Sequence, residues 1–483
     1  MKRTVGMLLV GAIALAGCGS DDDKAADGGR AGVAPSEALA ITGLDSSFGN
    51  AGVASVPMAA ADGDRLLGIT AGRDGKVYAV GYVATAGDQA MAVARITGDG
   101  SLDTTFSDDG YATVNVAAGG KAGETSRGVA VQSSGKVVVA GPFEHDPAAE
   151  GDGARDTDIA ITRFDASGRL DATFGAGGTT KVDLGAGLVL PPAAGSTTTT
   201  NSVVGDTMWG LTVLPDDRLV AVGASPAKGV GRTDLDFAFM MFTADGALDT
   251  TFATGGVLTV DVAGGNDSPR QAVVQPDGKI VLSGYTRTTA TPPVVHPVLV
   301  RVSPSGVLDP SFGTAGIAGE KILAAVTEAY EVGMQGDDFI ITGYGRATEA
   351  EKVDLISARF TETGALDRTY GTDGLVRIDI AAEDDRGRDL VVLPDGRVLI
   401  AGSGKPDAAN INAMLVLLEK DGTLDTRFGR GGILQVDLGG PSDSFFGVTL
   451  TADGTHAFVA GYKGADPTTG DDAVVARVAL SAT

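Results

Sequence analysis

The chain has 483 residues, of which 43% are hydrophobic and 72 are glycine, and its formal net charge is −25. This acidic balance leaves no basic surplus to neutralise phosphates, which excludes nucleic acid as a partner. The single cysteine excludes an internal disulfide, and the high glycine content favours turn-rich β structure over long helices.

The N-terminus has the features of a secreted bacterial protein. Two positive residues precede an apolar stretch, residues 5–16, that is too short to span a bilayer as a mature helix. Residues 15–18, Leu-Ala-Gly-Cys, resemble the lipobox of bacterial lipoproteins, and an ordinary secretory signal is the alternative. The resemblance implies cleavage before Cys18 and acylation of that residue, which would anchor the protein to a membrane. Gly19 rather than Asp after the cysteine is similar to lipoproteins sorted to the outer membrane, a resemblance that implies that location, with the body facing either the periplasm or the exterior.

Residues 1–17 are therefore predicted to be a lipoprotein signal peptide, and residues 18–43 the lipidated cysteine with a flexible linker. The linker is rich in Gly, Ala and Asp and shows no apolar periodicity, so nothing in it predicts a packed element. Its run of three aspartates is read as a solvated spacer.

One pattern, Leu-Asp-x-x-aromatic-x-x-x-Gly, occurs seven times in the rest of the chain. Its successive copies start 58 to 78 residues apart, and repetition at such a period indicates a repeat architecture. The repeats start at Leu44, Leu102, Leu170, Leu248, Leu308, Leu366 and Leu424.

Each repeat is predicted to contain four β-strands, a to d. Strand a follows the glycine and alternates apolar with polar residues, as in residues 376–380. Strands b and c form a hairpin around Pro-Asp-Gly or a related turn, as in residues 272–284. Strand d is apolar and often ends near an arginine. Strand c always ends in glycine, at Gly81, Gly141, Gly223, Gly284, Gly343, Gly402 and Gly461.

A repeated four-stranded meander is typical of a β-propeller with one blade per repeat. The units resemble the delta-60 repeat of bacterial propellers over residues 44–483, and this resemblance implies the fold but no settled activity. The predicted fold class is all-β: a seven-bladed β-propeller of four-stranded antiparallel blades. An open solenoid is the alternative. A closed ring predicts that the segment near Leu44 lies beside residues 473–478.

The order of the strands determines which loops share a face. In an antiparallel meander the a–b and c–d loops emerge on one face, and the b–c and d–a loops on the other. The repeats gain extra length on the a–b/c–d face, at residues 142–158 and 185–206. Because loops on a rigid scaffold commonly bind ligands, this is the predicted binding face, with neutral loop drift as the alternative.

The aspartate of every Leu-Asp pair is predicted to be structural. A short carboxylate can cap backbone amides in the turn, while the aromatic residue three positions later fills the blade. The arginines of strand d are expected to form ion pairs at the blade edge. The aspartates are Asp45, Asp103, Asp171, Asp249, Asp309, Asp367 and Asp425.

Few residues are candidates for contact with a ligand. Trp209, the only tryptophan, is a candidate platform for a sugar, and filling the core or channel is the alternative. Glu144, Asp152 and Asp156 lie in an acidic loop that offers oxygen ligands to Ca²⁺, with a solvated loop as the alternative. None of the three histidines has a partner at ligand spacing, so zinc is not expected, and neither a catalytic residue nor another cofactor is predicted.

The sequence therefore predicts a non-catalytic cell-envelope lipoprotein that binds a protein or glycan through the a–b/c–d face. Two other classes compete with it: a propeller hydrolase, either a lactonase or a glycan-cleaving enzyme, with a site in the channel, and a purely structural envelope protein. A unique charged cluster in the channel would favour the enzyme. A featureless loop face would favour the structural protein.

Overall fold

The computed structural model describes residues 39–40, 43–58, 63–85, 88–117, 123–145, 156–185, 187–190, 202–228, 232–262, 264–381, 383–407, 409–464 and 470–482. These residues belong to one compact unit, residues 37–483. The predicted signal peptide and Cys18 lie outside the described residues, as does most of the linker. No helix occurs in the described ranges, and hence none there is long and apolar enough to cross a membrane.

The described residues form short strands joined by turns. In chain order the strands are β1 (Leu39–Ala40), β2 (Val53–Ser55), β3 (Asp64–Ala71), β4 (Val77–Thr85), β5 (Asp88–Ile96), β6 (Tyr111–Val114), β7 (Gly128–Val131), β8 (Val137–His145), β9 (Asp156–Phe164), β10 (Thr179–Val182), β11 (Leu188–Leu190), β12 (Ser202–Val204), β13 (Thr207–Val213), β14 (Leu219–Pro226), β15 (Leu235–Phe242) and β16 (Val257–Val260). They continue with β17 (Asn266–Val274), β18 (Ile280–Arg287), β19 (Val295–Val302), β20 (Ile317–Gly319), β21 (Val326–Gln335), β22 (Asp338–Arg346), β23 (Asp354–Phe360), β24 (Leu375–Ile378), β25 (Arg386–Val392), β26 (Val398–Gly404), β27 (Asn412–Leu418), β28 (Ile433–Val436), β29 (Ser444–Leu450), β30 (His456–Lys463), β31 (Asp472–Ala479) and β32 (Ser481–Ala482).

These strands build multiple four-stranded antiparallel sheets in a propeller-like arrangement. The sheet orders are β3-β4-β5-β6, β7-β8-β9-β10, β13-β14-β15-β16, β25-β26-β27-β28 and β29-β30-β31-β2. Strands β17 to β24 form one eight-stranded sheet, in which two antiparallel sets of four meet at a single parallel pair, Val295 with Val326. Two-stranded ladders pair β1 with β32 and β11 with β12.

The sheets are offset by one strand from the sequence repeats. Strand b of a repeat comes first in its sheet, followed by c and d, and the outer position is taken by strand a of the following repeat. In the third repeat, for example, β16 follows the glycine of the next Leu-Asp turn yet pairs with β15. The expectation that one blade contains the four strands of one repeat is therefore corrected. The offset arises because the short Leu-Asp turn returns the chain directly alongside strand d.

The first and last repeats join by the same offset. Strand β2 follows Gly52 and pairs with β31, and Leu44 forms a bridge with Val478. The pairing that a closed ring predicts is therefore present. The b strands of the seven repeats, called here the inner strands, also contact one another in a closed series: β3 with β7, β7 with β13, β13 with β17, β17 with β21, β21 with β25, β25 with β29, and β29 with β3.

The hydrophobic core lies between the facing surfaces of neighbouring sheets. Val138 and Ile161 of one sheet, for instance, pack in a single cluster with Leu219 and Met240 of the next. All four side chains are fully buried. Fully burying an aliphatic side chain contributes about 1.5–3 kcal/mol, so each interface between sheets is a main source of stability.

Each Leu-Asp turn is held by a repeated polar arrangement. Asp171 accepts hydrogen bonds from the backbone amide and hydroxyl of Thr173, at 3.1 and 2.6 Å, and an ion pair from Arg163 at 2.8 Å. The Arg163 guanidinium lies 4.6 Å from the Phe174 ring centre and also donates to the Ala244 carbonyl of the next sheet. One arginine therefore ties the turn, the buried aromatic ring and the neighbouring sheet together.

Two repeats replace this arginine. Strand d carries Met241 and Leu417 at the positions whose carbonyls accept the aspartate amide, and neither side chain can pair with the carboxylate. In both repeats the b–c hairpin supplies the guanidinium. Arg218 reaches Asp249 at 3.1 Å, and Arg397 reaches Asp425 at 2.6 Å. A cation beside the turn aspartate is therefore retained from a different strand.

We predict that Arg397→Leu lowers the free energy of unfolding by about 2–3 kcal/mol, because both members of the Arg397–Asp425 pair are almost fully buried. The double variant Arg397→Lys with Leu417→Arg re-creates the pattern of other repeats, in which Lys279 and Arg301 share Asp309. Chemical denaturation should show that the double variant keeps most of the free energy of unfolding that Arg397→Leu loses.

Arg430→Leu is the matched control, because Arg430 is exposed. It should change the unfolding free energy by less than about 0.5 kcal/mol. Equal losses for Arg397→Leu and Arg430→Leu would show that the buried ion pair has no structural role.

Candidate functional site

Each inner strand turns one side chain into the central channel by a β-bulge. The register with the second strand of the sheet shifts at Leu67, Trp209, Arg270, Tyr330, Arg388 and Phe446. Arg127 takes the same position in the remaining sheet, where its amide and Gly128 both face Ala140. A bulge re-aims one residue without ending the strand pairing. The seven side chains, called here the channel residues, line a cavity of about 260 Å³.

Arginines and aromatic rings alternate along most of this series. Each guanidinium lies over the ring of a neighbouring channel residue at a distance typical of a cation–π contact. The distances from guanidinium carbon to ring centre are 4.1 Å for Arg127 over Trp209, 3.9 Å for Arg270 over Trp209, 4.4 Å for Arg270 over Tyr330, 5.1 Å for Arg388 over Tyr330 and 4.9 Å for Arg388 over Phe446.

The three channel arginines form no ion pair with a carboxylate of the described residues. Arg270 donates to the Ser268 hydroxyl at 2.7 Å and the Tyr285 hydroxyl at 2.9 Å. Within the same ranges the guanidinium groups of Arg127 and Arg388 donate no hydrogen bond. Burial, and then the charge of Arg270, lower the pKa of Arg127 to about 10. The positive charge at this point is therefore poorly compensated.

Two carboxyl groups lie beside the arginines. Glu331 and Asp389 each follow a channel residue and line the same cavity. Burial raises the pKa of both groups, that of Asp389 to about 7, and the charge of Asp389 raises the pKa of Glu331 further. Asp389 also accepts from the amides of Leu390 at 2.6 Å and Val448 at 2.7 Å. These backbone bonds fix the pair in place and bridge two inner strands.

Tyrosines and arginines cluster at the a–b/c–d ends of the inner strands, and this end of the channel is called here the mouth. Tyr82, Tyr285, Tyr344 and Tyr462 follow the glycines that end strand c, and lie opposite the first residues of the inner strands. They also contact the channel residues. The ring centres of Tyr330 and Tyr344 are 5.2 Å apart, and those of Phe446 and Tyr462 are 5.7 Å apart. Arg65 and Arg386 lie over Tyr462 and Tyr344, at 4.2 and 5.1 Å.

A carboxyl or hydroxyl group three positions before each channel residue fixes the start of the inner strand. Asp267, for example, accepts the amide of Val262 at 2.7 Å and is almost fully buried. The equivalent residues are Asp64, Glu124, Asp206, Thr327, Asp385 and Asp443, and each accepts an amide from its a–b connection. This three-residue spacing is the sequence signal by which the channel residues could have been found, and the sequence analysis missed it.

The predicted site residues lie in different places. The seven Leu-Asp aspartates sit in the d–a turns, each bonded to the amide two residues later and to an arginine. The structure does not bring them together. The bonds to the amides come from Ser47, Thr105, Thr173, Thr251, Ser311, Thr369 and Arg427.

Trp209 is in the channel, with two guanidinium groups over its ring. Its ring is therefore engaged by cations. Glu144 lies in β8 and Asp156 begins β9, whereas Asp152 lies outside the described residues. Glu144 does not line the channel cavity.

Three groups of aspartates away from the channel have carboxylate oxygens close enough to share a metal ion. In each group the oxygens lie within 4.8 Å of one another. Arginines already pair with two of the groups, Arg232 with one and Arg377 with another. The groups are Asp158 with Asp183 and Asp206, Asp234 with Asp236 and Asp261, and Asp354 with Asp379 and Asp385.

Comparison with known proteins supports a propeller repeat family. Residues 72–106, 132–174, 275–312 and 393–428 are similar to the family described as "Domain of unknown function (DUF5122) beta-propeller". The matched segments cover less than half of the chain, and each runs from the b–c hairpin of one repeat into the Leu-Asp turn of the next. No curated protein matches the sequence.

Solved structures with a similar chain path have low sequence identity. A protein of unknown function from Dyadobacter fermentans has a TM-score of 0.42 and 9% identity, covering 89% of this chain and 99% of its own. Polysaccharide lyase Uly1 has a TM-score of 0.44 and 12% identity, covering 93% of this chain and 98% of its own. The β-propeller domain of the Trilobed protease from Pyrococcus furiosus has a TM-score of 0.40 and 10% identity, covering 83% of this chain and 91% of its own. Similarity at this level carries no information on activity.

We predict that stability falls as the pH rises because of Asp267. Burial raises the pKa of Asp267 to about 8, so the carboxyl is protonated in the folded state at pH 7 but ionised in the unfolded state. The folded state therefore loses stability between the ordinary pKa, 3.8, and about 8. The free energy of unfolding is measured by urea unfolding at pH 5 and pH 8. Between these pH values Asp267→Asn should lose at least about 1 kcal/mol less of it than the unaltered protein loses.

Asp109→Asn is the control for this measurement, because Asp109 is exposed. Its unfolding curves should shift with pH as those of the unaltered protein do. If Asp267→Asn and the unaltered protein lose the same stability between the two pH values, then Asp267 is already ionised in the fold.

Proposed function

We propose that the chain forms a seven-bladed propeller of the delta-60 type. The support is the series of inner strands, each of which contacts the next and the last of which contacts the first. The two halves of the eight-stranded sheet then count as separate blades, since each repeats the b-c-d-a order of the other sheets. The a–b/c–d face is the face on which the tyrosine-lined mouth opens.

The same proposal places the protein in the cell envelope as an outer-membrane lipoprotein. Its support is the sequence of residues 1–18, with a short apolar stretch and a cysteine at the position that acylation needs. Acyl chains on Cys18 and the linker to residue 43 would hold the propeller near a membrane surface.

On this scaffold the proposed function is non-catalytic binding of an envelope protein or glycan through the a–b/c–d face. The observation that carries it is the mouth, where tyrosines and arginines lie beside channel residues. Aromatic and arginine side chains are the types that dominate binding energy at interfaces. A purely structural protein would not need such a concentration on one face.

The paired carboxyl groups support the hydrolase as a second candidate, because they form a unique charged cluster in the channel. Their electrostatics suit it less well. A glycosidase keeps one of its two carboxyl groups ionised, whereas burial raises the pKa of both Glu331 and Asp389. Three arginines beside them also disfavour the Ca²⁺ that a lactonase site of this kind would need. Binding is therefore the better-supported function.

We predict that Cys18→Ala releases the protein from membranes, because residue 18 would carry the lipid. The measurement is the fraction of protein that sediments with envelopes after cell breakage, before and after a carbonate wash. Cys18→Ala should move most of the protein to the soluble fraction. Continued sedimentation of the variant at the level of the unaltered protein would contradict the lipoprotein assignment.

We predict that partners cross-linked in cell envelopes depend on the a–b/c–d face. Tyr344→Ser at the mouth should reduce recovery about fivefold or more, which is the effect expected for an aromatic hot spot. Deletion of residues 187–204 tests whether the expanded a–b connection contributes as well, and should leave the melting temperature unchanged.

Arg430→Ser is the control for the capture experiment, because Arg430 lies in a d–a turn on the opposite face. It should recover the same partners as the unaltered protein. Recovery that survives both Tyr344→Ser and the deletion would place the binding surface elsewhere, and recovery of nothing would argue for the structural protein.

A further inference from the structure

The channel residues concentrate positive charge inside an acidic protein. The chain carries a net charge of −25, yet three arginines face one cavity without a carboxylate partner among the described residues. Burying a charge is costly unless it is paired, and natural proteins usually pair it. Burial raises the pKa of Glu331 and Asp389 beside them, so these two groups compensate less charge than two ordinary carboxylates would.

The aromatic rings determine which part of each guanidinium remains available. The guanidinium carbons of Arg127 and Arg388 lie over the rings of Trp209, Tyr330 and Phe446. A guanidinium has five N–H donors, and a contact through its carbon with an aromatic ring leaves N–H edges for hydrogen bonds. Those edges match the oxygens of phosphate, sulfate or carboxylate, which arginine binds in a planar, two-point manner.

The size of the cavity limits the ligand. Its volume of about 260 Å³ lies below the range of about 300–1,000 Å³ typical of drug-sized ligands. A small molecule, or the terminal group of a larger one, fits such a space. A neutral apolar ligand would leave the guanidinium edges unpaired, whereas an anion would satisfy them.

We propose that the channel is an oxyanion-binding site, in which Arg127, Arg270 and Arg388 bind the phosphate, sulfate or carboxylate group of a small ligand or of a chain end. This rests on the proposed function, and it names the chemical class that the mouth admits. Arg270 is held by Ser268 and Tyr285 and so positions the site, while Arg127 and Arg388 supply the free donors.

The sequence provides a local probe for this site. Trp209 is the only tryptophan in the chain, and it lies between two of the arginines. Tryptophan fluorescence therefore reports on the channel alone. The purified protein is titrated with sodium phosphate, sodium sulfate, glucuronate and glucose at constant ionic strength in chloride, and calorimetry gives a second measure of affinity.

The expected result is a saturable fluorescence change with at least one of the three anions and none with glucose. If phosphate or sulfate binds and glucuronate does not, the ligand carries an inorganic or ester group. If only glucuronate binds, the ligand is an acidic sugar. Arg127→Gln and Arg388→Gln should each weaken binding at least tenfold, the effect of losing a charged hydrogen bond. Arg127→Lys, which keeps the charge, should weaken it less than Arg127→Gln, and Arg430→Gln should not weaken it.

The proposal is overturned if none of the three anions gives a saturable change in fluorescence. It is also overturned if Arg127→Gln and Arg388→Gln have melting temperatures that show them to be folded and yet bind the anion as tightly as the unaltered protein does. Capture of envelope partners by the a–b/c–d face together with no anion binding would reject the oxyanion site and retain the proposed function. Anion binding without any captured partner would retain the site and reject the wider function.

Discussion

The structure depends on a steric relation between the inner strand and the strand that follows it. The glycine that ends strand c lies opposite the residue just before the bulge, as Gly284 lies opposite Pro269. A Cβ atom added to Gly284 would overlap the carbonyl oxygen of Ser268, and the same holds for Gly343 and the carbonyl of Glu328. Only glycine lets the inner strand approach this closely. The close approach accommodates the bulge, and the bulge directs the next side chain into the channel.

The repeat pattern predicted the fold because it encodes local structure. In the Leu-Asp turn the final glycine has a φ near +95°, as at Gly52 and Gly316, which L-residues rarely adopt. A turn of this kind leaves its mark in every copy. The offset between sheets and repeats could not be predicted in the same way. Pairing of β16 with β15, or of β2 with β31, is a contact across a repeat boundary, and the pattern within one repeat does not specify it.

The candidate site escaped the sequence analysis for the opposite reason. Residues with a common structural role recur in all copies, whereas the channel residues differ from copy to copy: Leu67, Arg127, Trp209 and Arg270 occupy one equivalent position. Trp209 drew attention only because it is unique. Its neighbours became visible when the ring brought residues about 60 positions apart into contact. The repeats are thus alike where they build the scaffold and different where they face the channel.

The exterior of the protein and its channel act differently on an anion. The acidic exterior repels anions, but salt at physiological strength screens exposed charges beyond about 8 Å. A small anion that has entered the mouth therefore responds mainly to the nearby arginines. A long polyanion would still have to lie across the acidic surface, which would repel it along its whole length. The combination of an acidic body with a basic channel consequently favours small anions or chain ends over nucleic acids, which agrees with the exclusion drawn from net charge alone.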